Sequence, residues 1–327
     1  MMKIAASERF LWFILCLTAA ASAVAEEPRE LLARMNEALT SRNYDGIFAH
    51  QQGRKVEMLR IIHRVQDGRT MERLASLDGS GREFVRAGNE LTCYLPDKRT
   101  VLVERLAGER PLLGNFPKFD QSSTAFYDVE EIKRTRFLRR STRVIAVNPR
   151  DEFRYGYRLW IDEETAMPLK TQLCDGRGRV IESLLVADLK MPKVIPDTAF
   201  KPDVATEGFQ WLRTERESTT DKAGSESLWS ALKLPPGFRM TVRSTQVMPG
   251  QSSPVMHLVF SDGLASVSVF VEQASRTAGG APAAPSSVQV GSSSAFSTFV
   301  DGRKVTALGD VPQVTVRTIA NSMTPSG

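Results

Sequence analysis

The sequence predicts a mainly β protein with some α-helix: a long antiparallel sheet curled into a half-barrel and closed by helices, then a smaller α+β domain. Three observations predict it. Between Asn43 and Leu189, segments of strand length alternate with turn dipeptides. An amphipathic helical stripe precedes them over residues 28–41. A polar stretch, residues 215–227, separates them from a second run of strands that ends in another helix.

The elements follow in order. Pro28 suits a helix start, and Leu31, Leu32, Met35, Ala38 and Leu39 fall on one face. Strands are then expected at residues 44–51, 56–65, 70–77, 82–87, 91–95 and 100–106, punctuated by Gly53, Asp67-Gly68, Asp78-Gly79, Gly88-Asn89 and Pro96-Asp97. Strands joined this tightly are antiparallel neighbours, so the pattern is a meander. Residues 107–123 hold Pro111, Gly114 and Pro117 among apolar residues and read as a lid or satellite core. Strand signals return at 143–147, 154–162, 169–175 and 180–189, giving a sheet of about ten strands. A sheet that wide curls because every strand twists in one sense. Its apolar hollow needs plugs, for which the 28–41 helix and the segment near 125–132 are the expected helices. The second domain begins near Leu228. Strands are expected at 239–247, 255–261, 265–272, 296–300 and 303–308, with a closing helix over 312–322 and a Gly/Ala/Pro/Ser-rich mobile loop over 277–294.

The N-terminus reads as a secretory signal peptide. Lys3 and Arg9 precede the apolar run from Phe10, and Ala23-Val24-Ala25 fits a cleavage site before Glu26. The divisions expected are therefore 1–25 signal peptide, 26–205 N-terminal domain, 206–227 linker and 228–327 C-terminal domain. This implies an exported protein, in a Gram-negative cell a periplasmic one. Loss of residues 1–25 removes Lys3, Arg9 and Glu8, so the net charge falls from +5 to +4. That excess suits an acidic peptide or anionic headgroups and is too small to imply nucleic acid. Cys93 and Cys174 remain. Strand parity turns Cys93 inward and Cys174 outward, which favours two free thiols over a bridge between them.

No spacing supports catalysis. His50 and His63 lie on adjacent strands but lack the further ligands a zinc site needs, and nucleophile and metalloprotease motifs are missing. The expectation is no enzyme, no catalytic or metal residues and no cofactor. The distinctive charged stretch is Lys133-Arg-Thr-Arg-Phe-Leu-Arg-Arg-Ser-Thr-Arg143, six cations in eleven residues. It reads either as a solvated strand and loop or as a landing site for lipid phosphate or acidic peptide, with Arg134, Arg136, Arg139, Arg140 and Arg143 as candidates. Both readings place these cations outside the apolar hollow.

Leu77-Asp-Gly79, Arg82-Glu83, Gly88-Asn-Glu90, Tyr94-Leu-Pro96, Tyr157-Arg-Leu-Trp-Ile-Asp162, Pro168-Leu-Lys170, Leu234-Pro-Pro-Gly-Phe238 and Ser261-Asp-Gly-Leu264 together resemble the RseB/MucB family, in order along both domains. The resemblance implies a half-barrel like the lipoprotein carrier LolA with a smaller C-terminal domain. It implies a periplasmic negative regulator of a sigma-E or alginate stress pathway. Such a protein binds the periplasmic part of an RseA- or MucA-type anti-sigma factor, shields it from the site-1 protease, and is displaced by lipopolysaccharide or related lipid. A homo-oligomer is compatible with it. The alternative is a periplasmic lipid or lipoprotein carrier of LolA type, which leaves the C-terminal domain without a task.

Overall fold

A computed structural model describes residues 26–105, 112, 125–214, 228–247, 254–273 and 284–326. The expected signal peptide, and the expected lid apart from Leu112, lie outside them.

The helix α1 (Pro28–Ser41) is followed by β1 (Tyr44–Gln52), β2 (Lys55–Gln66), β3 (Arg69–Ser76), β4 (Glu83–Ala87), β5 (Glu90–Leu95) and β6 (Thr100–Arg105). Then come β7 (Tyr127–Phe137), β8 (Arg140–Pro149), β9 (Gly156–Asp162), β10 (Pro168–Cys174), β11 (Val180–Lys190) and β12 (Gln210–Thr214). All these strands form one twelve-stranded open sheet ordered β12-β6-β5-β4-β3-β2-β1-β11-β10-β9-β8-β7. The meander is as expected, and β1 joins the two halves by pairing with both β2 and β11.

Two segments differ from the sequence reading. The stretch near 125–132 is not a helical plug; it begins β7, an edge strand paired to β8, in which Tyr127 and Val129 alternate inward. Residues 210–214, inside the stretch read as linker, form β12, which pairs in parallel with β6.

One face of the sheet carries the main core. From α1, Leu31, Leu32, Met35, Ala38 and Leu39 pack with Tyr44, Phe48, Ile61, Ile145, Leu159, Ile161, Leu169 and Val186. Burial of such side chains is worth about 1.5–3 kcal/mol each, so α1 is bound by packing. Its N-cap Glu27 makes no side-chain capping bond. The hollow is not uniformly apolar. On the same face Arg86 meets Glu72 at 2.7 Å, with His63 stacked on Tyr44 at a ring separation of 4.8 Å. On the opposite face residues 195–203 strap β2 and β3. Ile195 and Phe200 cover Ile62, and Arg73 reaches both Glu83 and Asp203.

Both cysteines are free and buried. Cys174 keeps the expected parity, on the face of Gln172 and opposite Leu173, where it pairs with Gly156 of β9, but it is covered on that face and only 5% exposed.

The C-terminal domain pairs β13 (Leu228–Ala231) with β20 (Met323–Ser326). Beside them a six-stranded sheet is ordered β14-β15-β16-β19-β18-β17, from β14 (Arg239–Val247), β15 (Pro254–Ser261), β16 (Ser266–Gln273), β17 (Ser286–Val290), β18 (Ser293–Val300) and β19 (Arg303–Gly309). The closing helix α2 (Gln313–Asn321) places Val316, Ile319 and Ala320 on Phe296, Val305 and Ala307. Part of the expected 277–294 loop is strand: β17 lies within it, and β18 begins at its end.

Candidate functional site

The arginine stretch forms the β7–β8 hairpin. Leu138 and Arg139 at its tip have φ of 49° and 63°. A two-residue turn with both centres left-handed normally takes Gly or Asn, and each L-residue there costs about 1–2 kcal/mol. Leu138 is nonetheless 45% exposed, so no burial of its side chain offsets that cost.

The five candidate arginines divide. Arg143 is buried rather than outside the core: its guanidinium donates to Glu131 Oε2 at 2.8 Å, Glu26 Oε2 at 3.1 Å and the Glu26 carbonyl at 2.7 Å. It is a clamp that holds the chain before α1 onto the sheet. Arg134 is exposed and pairs with Glu131 at 2.9 Å. Arg140 donates to Asp162 at 2.9 Å. Among the described residues Arg136 and Arg139 are in no ion pair, and Arg136 donates only to the Arg139 carbonyl. Arg136, Leu138, Arg139, Arg140 and Ser141 line an open pocket of about 650 Å³ together with Asp162, Glu163 and Glu164. Cations and carboxylates in one pocket suit a segment carrying both signs, or an anion held at Arg136 and Arg139.

This division is testable by stability. Arg143→Ala is expected to lower unfolding free energy by about 1–3 kcal/mol, the range for a lost bond to a charged group with its partners left unsatisfied. Arg136→Ala and Arg139→Ala should stay within about 0.5 kcal/mol of the parent. Urea unfolding of the three variants checks this, and equal effects would refute the division.

The sequence reading missed a second constellation. Arg154, in the β8–β9 connection, is wholly buried between the domains. It donates to Asp151 at 3.0 Å, to Asp262 Oδ2 at 2.7 Å and to the Pro236 carbonyl. Its guanidinium lies over Phe126 at 4.8 Å, Phe238 at 5.3 Å and Tyr127 at 5.5 Å. Asp262 also accepts from the Tyr127 hydroxyl and from the amides of Leu264 and Ala265. The stretches Leu234-Pro-Pro-Gly-Phe238 and Ser261-Asp-Gly-Leu264 are thus the two walls of a socket for one arginine. Gly237 is required there: its φ is +79°, and a Cβ would stand 2.2 Å from Phe126 Cε2. The signal in the sequence was the pair of turn motifs; their common partner carried none.

His50 and His63 do not converge. His63 lies opposite Tyr44 and donates from Nδ1 to the Arg42 carbonyl, whereas His50 lies opposite Glu57 and donates to Glu182. Burial pushes the His63 pKa down; the hydrogen bond donated to Glu182 pushes that of His50 up. Among the described residues no group of His, Cys, Asp and Glu is arranged to hold a metal.

Known proteins share both sheets. The MucB/RseB N-terminal domain model matches residues 27–204 and the MucB/RseB C-terminal domain model residues 223–324. The sigma factor AlgU regulatory protein MucB of Pseudomonas aeruginosa is 30% identical over 311 residues, 94% of each chain. The sigma-E factor regulatory protein RseB of Salmonella typhimurium is 30% identical over 325 residues, 96% of this chain and 97% of that one. These relatives are regulatory proteins and not enzymes. The solved complex of Pseudomonas aeruginosa MucA and MucB superimposes with a TM-score of 0.72 at 28% identity, covering 92% of this chain and 100% of that chain. With both family models matched in order over most of its length, the chain belongs to the MucB/RseB family.

Proposed function

We propose that the protein is a periplasmic sensor-inhibitor. It binds the periplasmic domain of a membrane anti-sigma factor of RseA or MucA type, shields it from the site-1 protease, and releases it when lipopolysaccharide or another acyl lipid binds. It thereby restrains a sigma-E-type envelope stress response. In this reading residues 1–25 are removed on export, and 26–205 and 228–327 are the two working domains. The observation that carries the reading is family membership together with a fold shared along the chain with a MucB bound to MucA. The exposed Arg136 and Arg139, flanked by Arg134 and the half-buried Arg140, which already hold Glu131 and Asp162, supply the anion-binding end of the site, for an acidic stretch of the client or a lipid phosphate. Arg143 serves it indirectly, by holding the strand.

The energetics are within reach of an acyl lipid. Moving the balance between client-bound and client-free forms from 1:99 to 99:1 takes about 5.5 kcal/mol of preference. Burial of about seven CH₂ groups at about 0.8 kcal/mol each supplies it. Because α1 already covers the apolar face, an entering chain competes with Leu31, Leu32 and Met35 for the same surface. A LolA-type carrier remains the second reading of the open sheet, but it assigns no task to the Arg154 socket.

The test is a cleavage assay. The mature chain, the anti-sigma periplasmic domain and the site-1 protease are mixed with and without lipopolysaccharide. Protection that lipopolysaccharide removes is expected. Cleavage at the same rate with and without the chain would end the proposal. Arg136→Glu with Arg139→Glu is expected to weaken either client protection or its reversal by lipid, and so to say which anion these cations meet.

A further inference from the structure

The β7–β8 hairpin keeps a turn that its own fold does not favour. Phe137 and Arg140 close it, and the two residues between them, Leu138 and Arg139, are both left-handed. Asn-Gly would make this turn without strain. Phe137, one residue earlier, packs against the core, whereas Leu138 is left exposed at the apex. Backbone strain that packing does not offset points to a contact outside the fold.

The charges beside the apex are of both signs, and some are unmet. Among the described residues Arg136, Arg139 and Glu164 are exposed and in no ion pair, and all three line the same open pocket. The other charges there are engaged. Arg140 donates to Asp162, and Glu163 lies 3.9 Å from Arg134 and donates its amide to the Ser141 carbonyl. The Arg136 guanidinium reaches across the turn to the Arg139 carbonyl at 3.2 Å, which holds it beside the apex. Of the residues lining the pocket, Leu138 alone is apolar. A peptide is normally gripped by apolar anchors seated in a concave, largely apolar site. Here the pocket is polar and the one apolar side chain stands exposed. That arrangement suits a bilayer surface, where headgroups meet the charges and the leucine enters the acyl boundary.

We propose that the hairpin tip docks the protein on a membrane surface by binding a zwitterionic aminophospholipid headgroup. Arg136 and Arg139 take the phosphate, the Glu164 carboxylate takes the primary ammonium, and Leu138 enters the interface beside them. A purely anionic headgroup fits less well, because carboxylates share the pocket with the cations. A trimethylammonium headgroup also fits less well, having no N–H to donate to Glu164. This role rests on the sensor reading above, in which the client is membrane-bound, and it keeps the protein at the surface where that client lies.

Flotation of the mature chain with vesicles tests the docking. Three compositions serve: phosphatidylcholine alone, and phosphatidylcholine with an equal part of phosphatidylethanolamine or of phosphatidylglycerol. Binding with phosphatidylethanolamine is expected to exceed that with phosphatidylcholine alone by about tenfold, the scale of one hydrogen bond to a charged group. Leu138→Asn with Arg139→Gly, the residues this turn prefers, should raise Tm by about 2–4 °C and weaken vesicle binding at least about tenfold. A chain that is more stable yet no longer floats has lost a contact and not its fold. Glu164→Gln should abolish the preference for phosphatidylethanolamine over phosphatidylcholine without moving Tm. Equal binding to all three compositions, stronger binding to phosphatidylglycerol than to phosphatidylethanolamine, or undiminished binding by the turn variant overturns the proposal. So does a parent that binds no vesicle while the turn variant loses affinity for the anti-sigma periplasmic domain, which would assign the tip to a peptide. Flotation uses neither client nor protease, so its failure is distinct from failure of the cleavage assay.

Discussion

Arg154→Ala is expected to destabilise the protein by about 3–5 kcal/mol, the cost of stripping one partner from a buried ion pair. Asp262 would keep the Tyr127 hydroxyl and the amides of Leu264 and Ala265, but its carboxylate would stay dry and without a cation. Three aromatic faces would lose the plane that stacks between them. Arg154→Lys recovers little, because an ammonium cannot fork to Asp151, Asp262 and the Pro236 carbonyl from one plane. Since these contacts cross from one domain to the other, the variant should also part a coupled urea transition into two. Thr315 donating to the Phe153 carbonyl at 2.6 Å is the neighbouring crossing bond, and it is too weak to hold the joint alone. A variant with the parental midpoint and a single transition would show that the socket does not join the domains.

The parts legible in the sequence were those fixed by local chemistry. The β1–β6 meander announces itself by period-two burial and by turn dipeptides, and α1 and α2 by apolar spacing. What escaped was set by partners far along the chain. β7 carries Asp128, Glu130 and Glu131, acceptable in a first helical turn, and becomes a strand because β8 offers it an edge. The short β12, β13, β17 and β20 have too few residues for periodicity, and β13 exists only through β20, almost a hundred residues away. The candidate arginines were found as a group, yet their roles were not. Whether a cation in a basic run is solvent-facing or a clamp depended on Glu26 and Glu131, and only for Arg143 do both reach it. Arg154 was invisible for the same reason, while its socket was legible as two turn motifs.

Glu72→Ala is the other change with a large expected effect, about 3–5 kcal/mol, because it strands Arg86 beneath the sheet. Glu72 is fully buried, Arg86 is 2% exposed, and the Leu112 amide also donates to Glu72 at 2.9 Å. His63, 3.8 Å from Glu72 Oε1, offers Arg86 no counterion, because an imidazole is either neutral, the form burial favours, or a second cation. The informative variant is the double one. Glu72→Leu with Arg86→Met replaces an ion pair by apolar groups of similar bulk, a change that is often neutral or stabilising. It should therefore recover most of the loss, and the cycle of single and double variants should give a coupling well above the about 0.5 kcal/mol expected of independent sites. If the double variant is as unstable as Glu72→Ala, the pair is integral to the packing. If it is stable but lacks the lipid-triggered release proposed above, then the charges on the apolar face serve to select what enters it, which is a role that packing α1 alone would not require.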